Sequence, residues 1–204
     1  MGGAQVRGGR VLIVFTGNVC RSPFVERLLR TTLAPGGIEI TSAGTGALVG
    51  DPIEPRVAKH LLAQGGDPTG FAARQLTPAL VAEADLVLTA TRRHRSDVVV
   101  THPAAMRYTF TLSDFAHLAA SLGPDPVSPV ADTLAGSDRN GPETRAQRVR
   151  GLVANQRGLV PSLDEDVVDL VDPYRQDGNV VAAMVEQVLV MLPSLVRALG
   201  GALG

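Results

Sequence analysis

The hydrophobic positions of the chain form short buried-strand runs that alternate with segments of helical periodicity. The strand-like runs lie at residues 11–15, 38–43, 86–89 and 107–110. Each of the first three is followed by a helix signal. Such alternation predicts an α/β fold, with helices packed on a parallel sheet of about four strands.

The helical segments begin at recognisable start signals. Ser22 is placed to cap a helix, and Pro23 suits the first helical position. Thr77-Pro78 opens a shorter helix in the same way, and Gly65-Gly66 is a stop signal. The spacing of apolar residues predicts further helices over residues 56–64, after Thr91 to residue 100, within residues 142–156 and over residues 180–199.

Two stretches interrupt this rhythm. Residues 123–141 are rich in Pro, Gly, Asp and Ser, which is typical of a surface loop, and residues 161–172 are acidic. The 204 residues suffice for one well-packed domain, which we expect to span residues 1–204. Residues 180–199 are the most apolar segment, but charged and polar residues interrupt them, so we expect a packed helix rather than a membrane span.

Composition narrows the possible partners and compartments. A net charge of -1 gives no reason to expect binding to nucleic acid or to a membrane surface. A single cysteine, Cys20, excludes a disulfide framework and a multi-cysteine metal site within one chain. Because the N-terminal residues lack an apolar segment of signal-peptide type, we expect a cytoplasmic protein.

The segment T-G-N-V-C-R-S, residues 16–22, is the strongest candidate for a binding site. A loop between a parallel strand and a helix directs backbone N–H groups and the helix dipole at one point, which favours an anion. Gly17 permits unusual backbone conformations, Arg21 offers a forked donor, and Ser22 offers a hydroxyl. The simpler alternative is a strand–helix turn capped by Ser22, with Arg21 merely exposed.

The same loop resembles that of the low-molecular-weight protein-tyrosine phosphatases, whose motif is C-x-x-x-x-x-R-[ST]-P. The matching residues are G-N-V-C-R-S-P at 17–23. The likeness continues through S-A-G-T at 42–45, A-R-Q-L-T at 73–77, A-D-L-V-L-T at 84–89 and D-P-Y at 172–174. Residues from about 123 to 160 form a longer segment than the family usually has.

The resemblance implies a doubly wound, three-layer αβα sandwich and hydrolysis of phosphotyrosine through a phosphocysteine intermediate. It requires no metal and no cofactor. Arg21 would bind the phosphoryl oxygens, Ser22 would stabilise the thiolate, and Asn18 would hold the loop's shape. Asp172 would protonate the leaving phenolate, and Tyr174 would form a wall of the pocket. The implied phosphate-binding loop is Thr16, Gly17, Asn18, Val19, Cys20, Arg21 and Ser22.

Simpler interpretations exist for two residues of this set, and the neighbourhood of His94 also has two interpretations. Asp172 could belong to an ordinary Asp-Pro turn, and Tyr174 could simply pack as loop tyrosines often do. His94 lies among Arg92, Arg93 and Arg95, so we expect a solvated helix start; an extended recognition surface is the alternative.

The position of the family's nucleophilic cysteine, six residues before Arg21, is occupied by Phe15. Phenylalanine has no lone pair to attack phosphorus, so the covalent route is closed. Its ring should also lie at the floor of the loop, where a thiolate belongs and where its bulk hinders phosphate binding. We therefore predict that phosphotyrosine hydrolysis is absent or severely impaired.

Cys20 is the remaining thiol near the loop. Its neighbours, Arg21 and the helix N-terminus, would lower a thiol pKa, but it lies five residues from the position of attack. A small buried residue beneath the loop is the simpler interpretation. Arsenate-reductase chemistry needs several cysteines, and the chain has one.

Three hypotheses for Phe15 stay open. The protein is a natural pseudophosphatase that binds a phosphorylated or acidic partner, or Phe15 reflects a one-base codon change, or residual activity proceeds through water or Cys20. If active, the protein would act on a phosphotyrosine protein or a small aryl phosphate. The oligomeric state is not predicted.

Overall fold

The computed structural model describes residues 8–33, 37–123, 126 and 143–200. Its centre is a parallel sheet of four strands in the order β2-β1-β3-β4. The strands are β1 (Arg10–Phe15), β2 (Glu39–Gly44), β3 (Leu86–Thr89) and β4 (Thr109–Thr111). The predicted α/β class and parallel sheet are confirmed.

The helices that surround the sheet follow the strands in the order expected for a doubly wound fold. They are α1 (Arg21–Thr32), α2 (Pro55–Ala63), α3 (Pro78–Ala82), α4 (Arg92–Thr101), α5 (Leu112–Ala120), α6 (Arg145–Asn155), α7 (Glu165–Val168) and α8 (Gly178–Gly200), with a 3-10 turn at Pro103–Arg107.

Alternate residues of β1 point into two separate cores. Val11, Ile13 and Phe15 pack in the larger core, on the side of α1, α5 and α8. Leu12 and Val14 pack in the smaller core, on the side of α3 and α4. This alternation follows from the two-residue period of a strand, and it makes β1 buried on both faces.

Helix α5 was not predicted from the sequence. It begins directly after β4, and the Thr111 hydroxyl accepts the N–H of Asp114 at 3.1 Å, which caps the helix. No Gly or Pro separates the strand from the helix here. The only sequence signal was the change in spacing of the apolar residues, from the period of a strand to that of a helix. The short helix α7 and the 3-10 turn were also missed.

Residues 124–125 and 127–142, which form much of the predicted longer segment, lie outside the described residues. The helix predicted after them is α6, where Thr144 and Gln147 form a reciprocal capping box. Ala146, Val149 and Val153 are buried, as their spacing indicated. That residues 123–160 are atypical of the family stays a prediction.

Helix α8 is the one described helix long and apolar enough to cross a membrane, with a mean hydropathy of 1.7 over its most apolar window. Its inner side packs on α1, α2, α5 and α6. About a third of that window is buried within the structure (33%). The predicted packed C-terminal helix is therefore present, with one side left to the surface.

Candidate functional site: the loop between β1 and α1

The loop of residues 16–20 leaves the sheet at the carboxyl end of its buried strand β1 and enters α1. A neighbouring segment takes up the outer carbonyl groups of this loop. The N–H groups of Thr45, Gly46 and Leu48 donate to the carbonyls of Phe15, Thr16 and Gly17 at 2.8, 3.1 and 3.0 Å. Glu54 N–H donates to the carbonyl of Val19 at 2.9 Å. The loop backbone is thus held from outside.

The inner N–H groups of the loop have no such partners. Among the described residues, the N–H groups of residues 17–20 donate to no protein acceptor. The same four residues line a cavity at the start of α1. Successive N–H groups without acceptors beside a helix N-terminus are the arrangement that binds anions.

Asn18 sets the shape of the loop, and it does so with its backbone as well as its side chain. Its φ is +56°, the left-handed conformation that Asn tolerates better than most residues. Gly17, whose residue type permits such conformations, does not adopt a positive φ. Asn18 provides the left-handed turn.

The Asn18 side chain is almost fully buried, and both ends of its amide are used. The amide nitrogen donates to Ser22 Oγ at 3.0 Å and to Ser42 Oγ at 2.8 Å. The amide oxygen accepts the N–H of Arg74 at 2.8 Å. This network joins the loop, α1, β2 and the segment before α3, so it holds the loop rigidly.

Ser22 takes part in this network rather than capping the helix. Helix α1 starts at Arg21, its N-cap residue is Cys20, and no side chain caps it. The predicted N-cap role of Ser22 was therefore wrong. Its hydroxyl, fully buried, accepts from Asn18, and the uncapped helix N–H groups are left facing the cavity.

A buried carboxylate that the sequence analysis did not identify continues the network. Ser42 donates to Glu26 Oε2 at 2.6 Å, and Arg30 donates to Glu26 Oε1 at 3.0 Å. Glu26 is 5% exposed. Its position four residues after Ser22, on the same helix face, was the only available signal.

The structure brings Arg21 and Asp172 together from opposite ends of the chain. Arg21 is 6% exposed, and its Nη2 lies 2.6 Å from Asp172 Oδ2. Its Nη1 donates to the carbonyl of Leu170 at 3.2 Å. Burial lowers the pKa of Arg21, and the Asp172 carboxylate opposes that shift. The alternative in which Arg21 is merely exposed is wrong.

Phe15 ends β1 at the base of the cavity. The side chain is 1% exposed and belongs to the larger core. The guanidinium carbon of Arg21 lies 5.5 Å from the centroid of its ring, within range of a cation–π contact. The basic group of the loop thus lies between an aromatic ring and the Asp172 carboxylate.

Cys20 has no activated thiol. It is 5% exposed, which fits the simpler interpretation of a small residue buried beneath the loop. Burial, followed by the charges of Glu54 and Asp172, raises its pKa to about 12. We expected Arg21 and the helix N-terminus to lower this pKa, but Arg21 only opposes part of the rise. That expectation was wrong because desolvation dominates.

His94 also departs from its expected environment. Instead of lying at a solvated helix start, it is 7% exposed. Its Nε2 lies 2.7 Å from Thr16 Oγ1, and its Nδ1 lies 2.7 Å from Thr91 Oγ1. Burial, then the nearby Arg21 charge, lowers the pKa of His94. The three neighbouring arginines indicated an exposed position, but the His94 side chain is buried and contacts the loop at Thr16.

The Asp-Pro-Tyr segment closes one side of the cavity. Tyr174 N–H donates to Asp172 Oδ1 at 3.1 Å, so the Asp-Pro turn exists as well as the Asp172–Arg21 pair. Tyr174 lines the cavity at its outer edge, and it is 38% exposed. The guanidinium carbon of Arg175 lies 5.2 Å from its ring centroid.

The cavity has a volume of about 130 Å³, and every predicted site residue lines it. Gly46 and Leu48, which were not predicted, complete the lining. Pockets for drug-sized ligands measure roughly 300–1,000 Å³, so this cavity suits a small group. The described residues contain no cluster of three or more metal-ligating side chains.

The fold and the loop first define a class: doubly wound α/β proteins with a cavity-lining loop between a central strand and a helix. A family model described as low molecular weight phosphotyrosine protein phosphatase matches residues 10–132. The chain therefore belongs to the low molecular weight phosphotyrosine protein phosphatase family.

Individual relatives agree with this assignment. The low molecular weight protein-tyrosine-phosphatase Etp of Escherichia coli K12 is 34% identical over 131 residues, 64% of this chain and 86% of Etp. The protein-arginine-phosphatase of Geobacillus stearothermophilus is 37% identical over 106 residues, 52% of this chain and 70% of the relative.

A solved structure supports the same fold. That of the Erwinia amylovora tyrosine phosphatase AmsI aligns with a TM-score of 0.64 at 21% identity, over 97% of this chain and 96% of AmsI.

Proposed function

We propose that the protein is a phosphatase-family member that binds a phosphoryl group in its loop but does not hydrolyse it through a phosphocysteine. The observation that carries this proposal is Phe15. It lies six residues before Arg21, at the end of β1, and it is one of the residues that line the cavity, at the position where the family has its nucleophile. An aromatic ring there supplies neither a lone pair nor an exchangeable proton.

Cys20 does not replace the missing nucleophile. The thiolate is the reactive form, and a thiol whose pKa is raised to about 12 stays protonated at neutral pH. The side chain is also buried beneath the loop. Activity through this residue is therefore not expected.

Three features support binding of a phosphoryl group. The unpartnered N–H groups of residues 17–20 and the uncapped start of α1 lie at the cavity. Arg21 adds a full charge and a forked donor. The cavity of about 130 Å³ is well below the size of a drug-sized pocket, and such a small volume suits a tetrahedral anion.

Asp172 takes on a second role in this proposal. Carried over from the family, it is the acid that protonates the leaving group, and Tyr174 forms a wall for an aryl ring. In the ligand-free chain Asp172 is the counter-ion of Arg21. A bound phosphoryl group competes with that carboxylate and with the bulk of Phe15 for Arg21, so we expect weak phosphate affinity. Asn18 and Ser22 hold the loop in its binding shape.

The phosphorylated ligand would be a phosphotyrosine protein or another phosphoprotein. The arginine-phosphatase relative widens the range of side chains to consider. We favour recognition of a phosphoryl group over its hydrolysis, because the binding groups are present and an accessible nucleophile is not.

Calorimetric titration with inorganic phosphate and a p-nitrophenyl phosphate assay test the proposal together. We expect measurable phosphate binding that Arg21→Ala abolishes, and turnover no greater in the unmodified protein than in Cys20→Ser. Lys59→Ala, which removes one positive charge from the exposed side of α2, is the control and should bind phosphate normally. Turnover that Cys20→Ser abolishes, or no phosphate binding at all, would contradict the proposal.

A further inference from the structure

The outer side of α8 is exposed and takes no part in the core of the fold. Ala182, Ala183, Glu186, Val190 and Pro193 are exposed along it, and Val190 is 75% exposed. The outer side of a surface helix is normally polar, so a mostly apolar one needs a partner. We call these five residues, together with the half-buried Arg197, the α8 stripe.

A groove runs beside the stripe. It has a volume of about 580 Å³; residues of α8 form one wall, and α5 together with Leu163, Val167 and Val171 forms the rest. Ala183, Glu186 and Val190 belong to both the stripe and the groove. The two features therefore make one continuous apolar surface.

The stripe has one charge near each end. Glu186 and Arg197 are eleven residues apart, which is about three helical turns, so they lie on the same side of α8. Within the described part of the chain, neither side chain forms a salt bridge. An acid and a base at opposite ends of one apolar stripe form a self-complementary pattern.

We propose that a second copy of the chain docks on this stripe, with the two α8 helices antiparallel about a twofold axis. An axis midway between residues 191 and 192 places Glu186 opposite Arg197 of the partner subunit, and Arg197 opposite Glu186 of the partner subunit. The same axis places Val190 against Pro193 of the partner subunit. One symmetry operation thus matches both charge pairs and the apolar centre, as an isologous interface requires.

The side chains at the centre of the stripe allow a close approach. Helix axes pack roughly 8–10 Å apart, and the smaller the residues at the crossing, the shorter that distance. Ala183 and Val190 are small, and Pro193 presents a compact ring. The groove beside the stripe then accepts side chains of the partner helix.

A lipid bilayer is a less suitable occupant than a second copy. Insertion of α8 across a membrane would expose to lipid, or remove from the core, the eight buried residues of its inner side. The antiparallel copy satisfies Glu186 and Arg197 and leaves the core intact.

Sedimentation-velocity centrifugation of the 204-residue protein over a dilution series tests the proposal. We expect a concentration-dependent dimer. Glu186→Arg and Arg197→Glu should each raise its dissociation constant by on the order of tenfold, since each places like charges opposite one another. The double variant, which exchanges the two charges, should restore the dimer. Lys59→Glu, a charge reversal on α2, should leave the dimer unchanged.

Three outcomes would overturn the proposal. They are a monomer at every concentration, a dimer that neither single variant weakens, and a double variant that remains as weak as the single ones. Co-sedimentation of a monomeric protein with phosphatidylglycerol vesicles would instead assign the stripe to a membrane. The measurement is independent of phosphate binding and turnover, and far-ultraviolet circular dichroism confirms that each variant is folded.

Discussion

The loop and the strand end that precedes it are adjacent, but the loop is held by side-chain hydrogen bonds and the strand end by apolar packing. Asn18 uses both ends of its amide, and the network continues through Ser42 to the buried Glu26. Phe15, one residue before the loop, packs as an ordinary core residue. The difference shows that the shape of the loop and its chemistry have separate structural origins.

In the proposed function, this separation lets the loop keep its shape when position 15 carries no nucleophile. The outer carbonyls of the loop bond to the segment from Thr45 to Glu54, and Asn18 provides the left-handed turn. None of these bonds uses the side chain at position 15. These bonds therefore do not depend on which side chain occupies position 15.

The largest loss of stability is expected from Asn18→Ala, which removes the side chain that holds the loop in shape. The substitution leaves Ser22 Oγ and the N–H of Arg74 without a partner, removes one of the two hydrogen bonds of Ser42, and places alanine at a φ of +56°. We expect a loss of about 3 kcal/mol in the free energy of unfolding, measured in urea. Asn179→Ala, an exposed position, is the matched control and should change it by less than about 0.5 kcal/mol.

A somewhat smaller loss of stability is expected from Gly44→Ala, which adds a methyl group at the end of β2, against the loop. An added Cβ would lie within van der Waals overlap of the Thr16 carbonyl oxygen, a backbone atom that moves only with the loop. We expect a loss of about 2 kcal/mol and weaker phosphate binding.

Gly46→Ala is the control for that substitution, since its Cβ would meet nothing within 4 Å. Equal stability of the two variants would contradict the claim that Gly44 supports the loop.

Asp172→Asn should change phosphate binding. Removing the carboxylate that lies 2.6 Å from Arg21 frees the guanidinium for a ligand. We expect phosphate to bind roughly tenfold more tightly, the equivalent of about 1.4 kcal/mol. Asp67→Asn removes an equal charge away from the cavity and should have no such effect on the calorimetric titration. Weaker binding in Asp172→Asn would mean that Asp172 holds Arg21 in place for the ligand.

The smallest effect at neutral pH concerns Cys20. Its folded-state pKa of about 12 lies above the ordinary 9.0, so the stability that this shift contributes is complete below about pH 9. It declines as the pH rises toward 12, because the unfolded thiol ionises first. Cys20→Ala should therefore show a shallower loss of stability between these pH values in urea titrations. Identical alkaline slopes would contradict the assigned pKa.

Local patterns predicted the sheet well because strand and helix periods differ clearly. Residues 86–89 form β3 at the predicted bounds. Helix α5 was missed because it follows β4 without a breaking residue. The loop was predicted from its own residues, whereas the role of Asp172 came from the family resemblance and the Arg21–Asp172 pair was not predicted, since 151 residues separate the two and no local rule joins them.

The environments of individual side chains were less predictable. His94 is surrounded in sequence by arginines, yet it is buried against Thr16 and Thr91. Cys20 has a basic neighbour, yet desolvation raises its pKa. In both cases burial, which depends on the whole fold, outweighs the charges that the sequence displays.

The most direct test of the central claim is the p-nitrophenyl phosphate turnover of Phe15→Cys. If the scaffold is intact and only the nucleophile is missing, turnover should rise by several orders of magnitude, since loss of a nucleophile costs on the order of 10⁶-fold in other hydrolases. The gain should disappear when Arg21→Ala or Asp172→Ala is added, and Phe15→Ala should remain inactive. A folded Phe15→Cys protein without turnover would contradict the account.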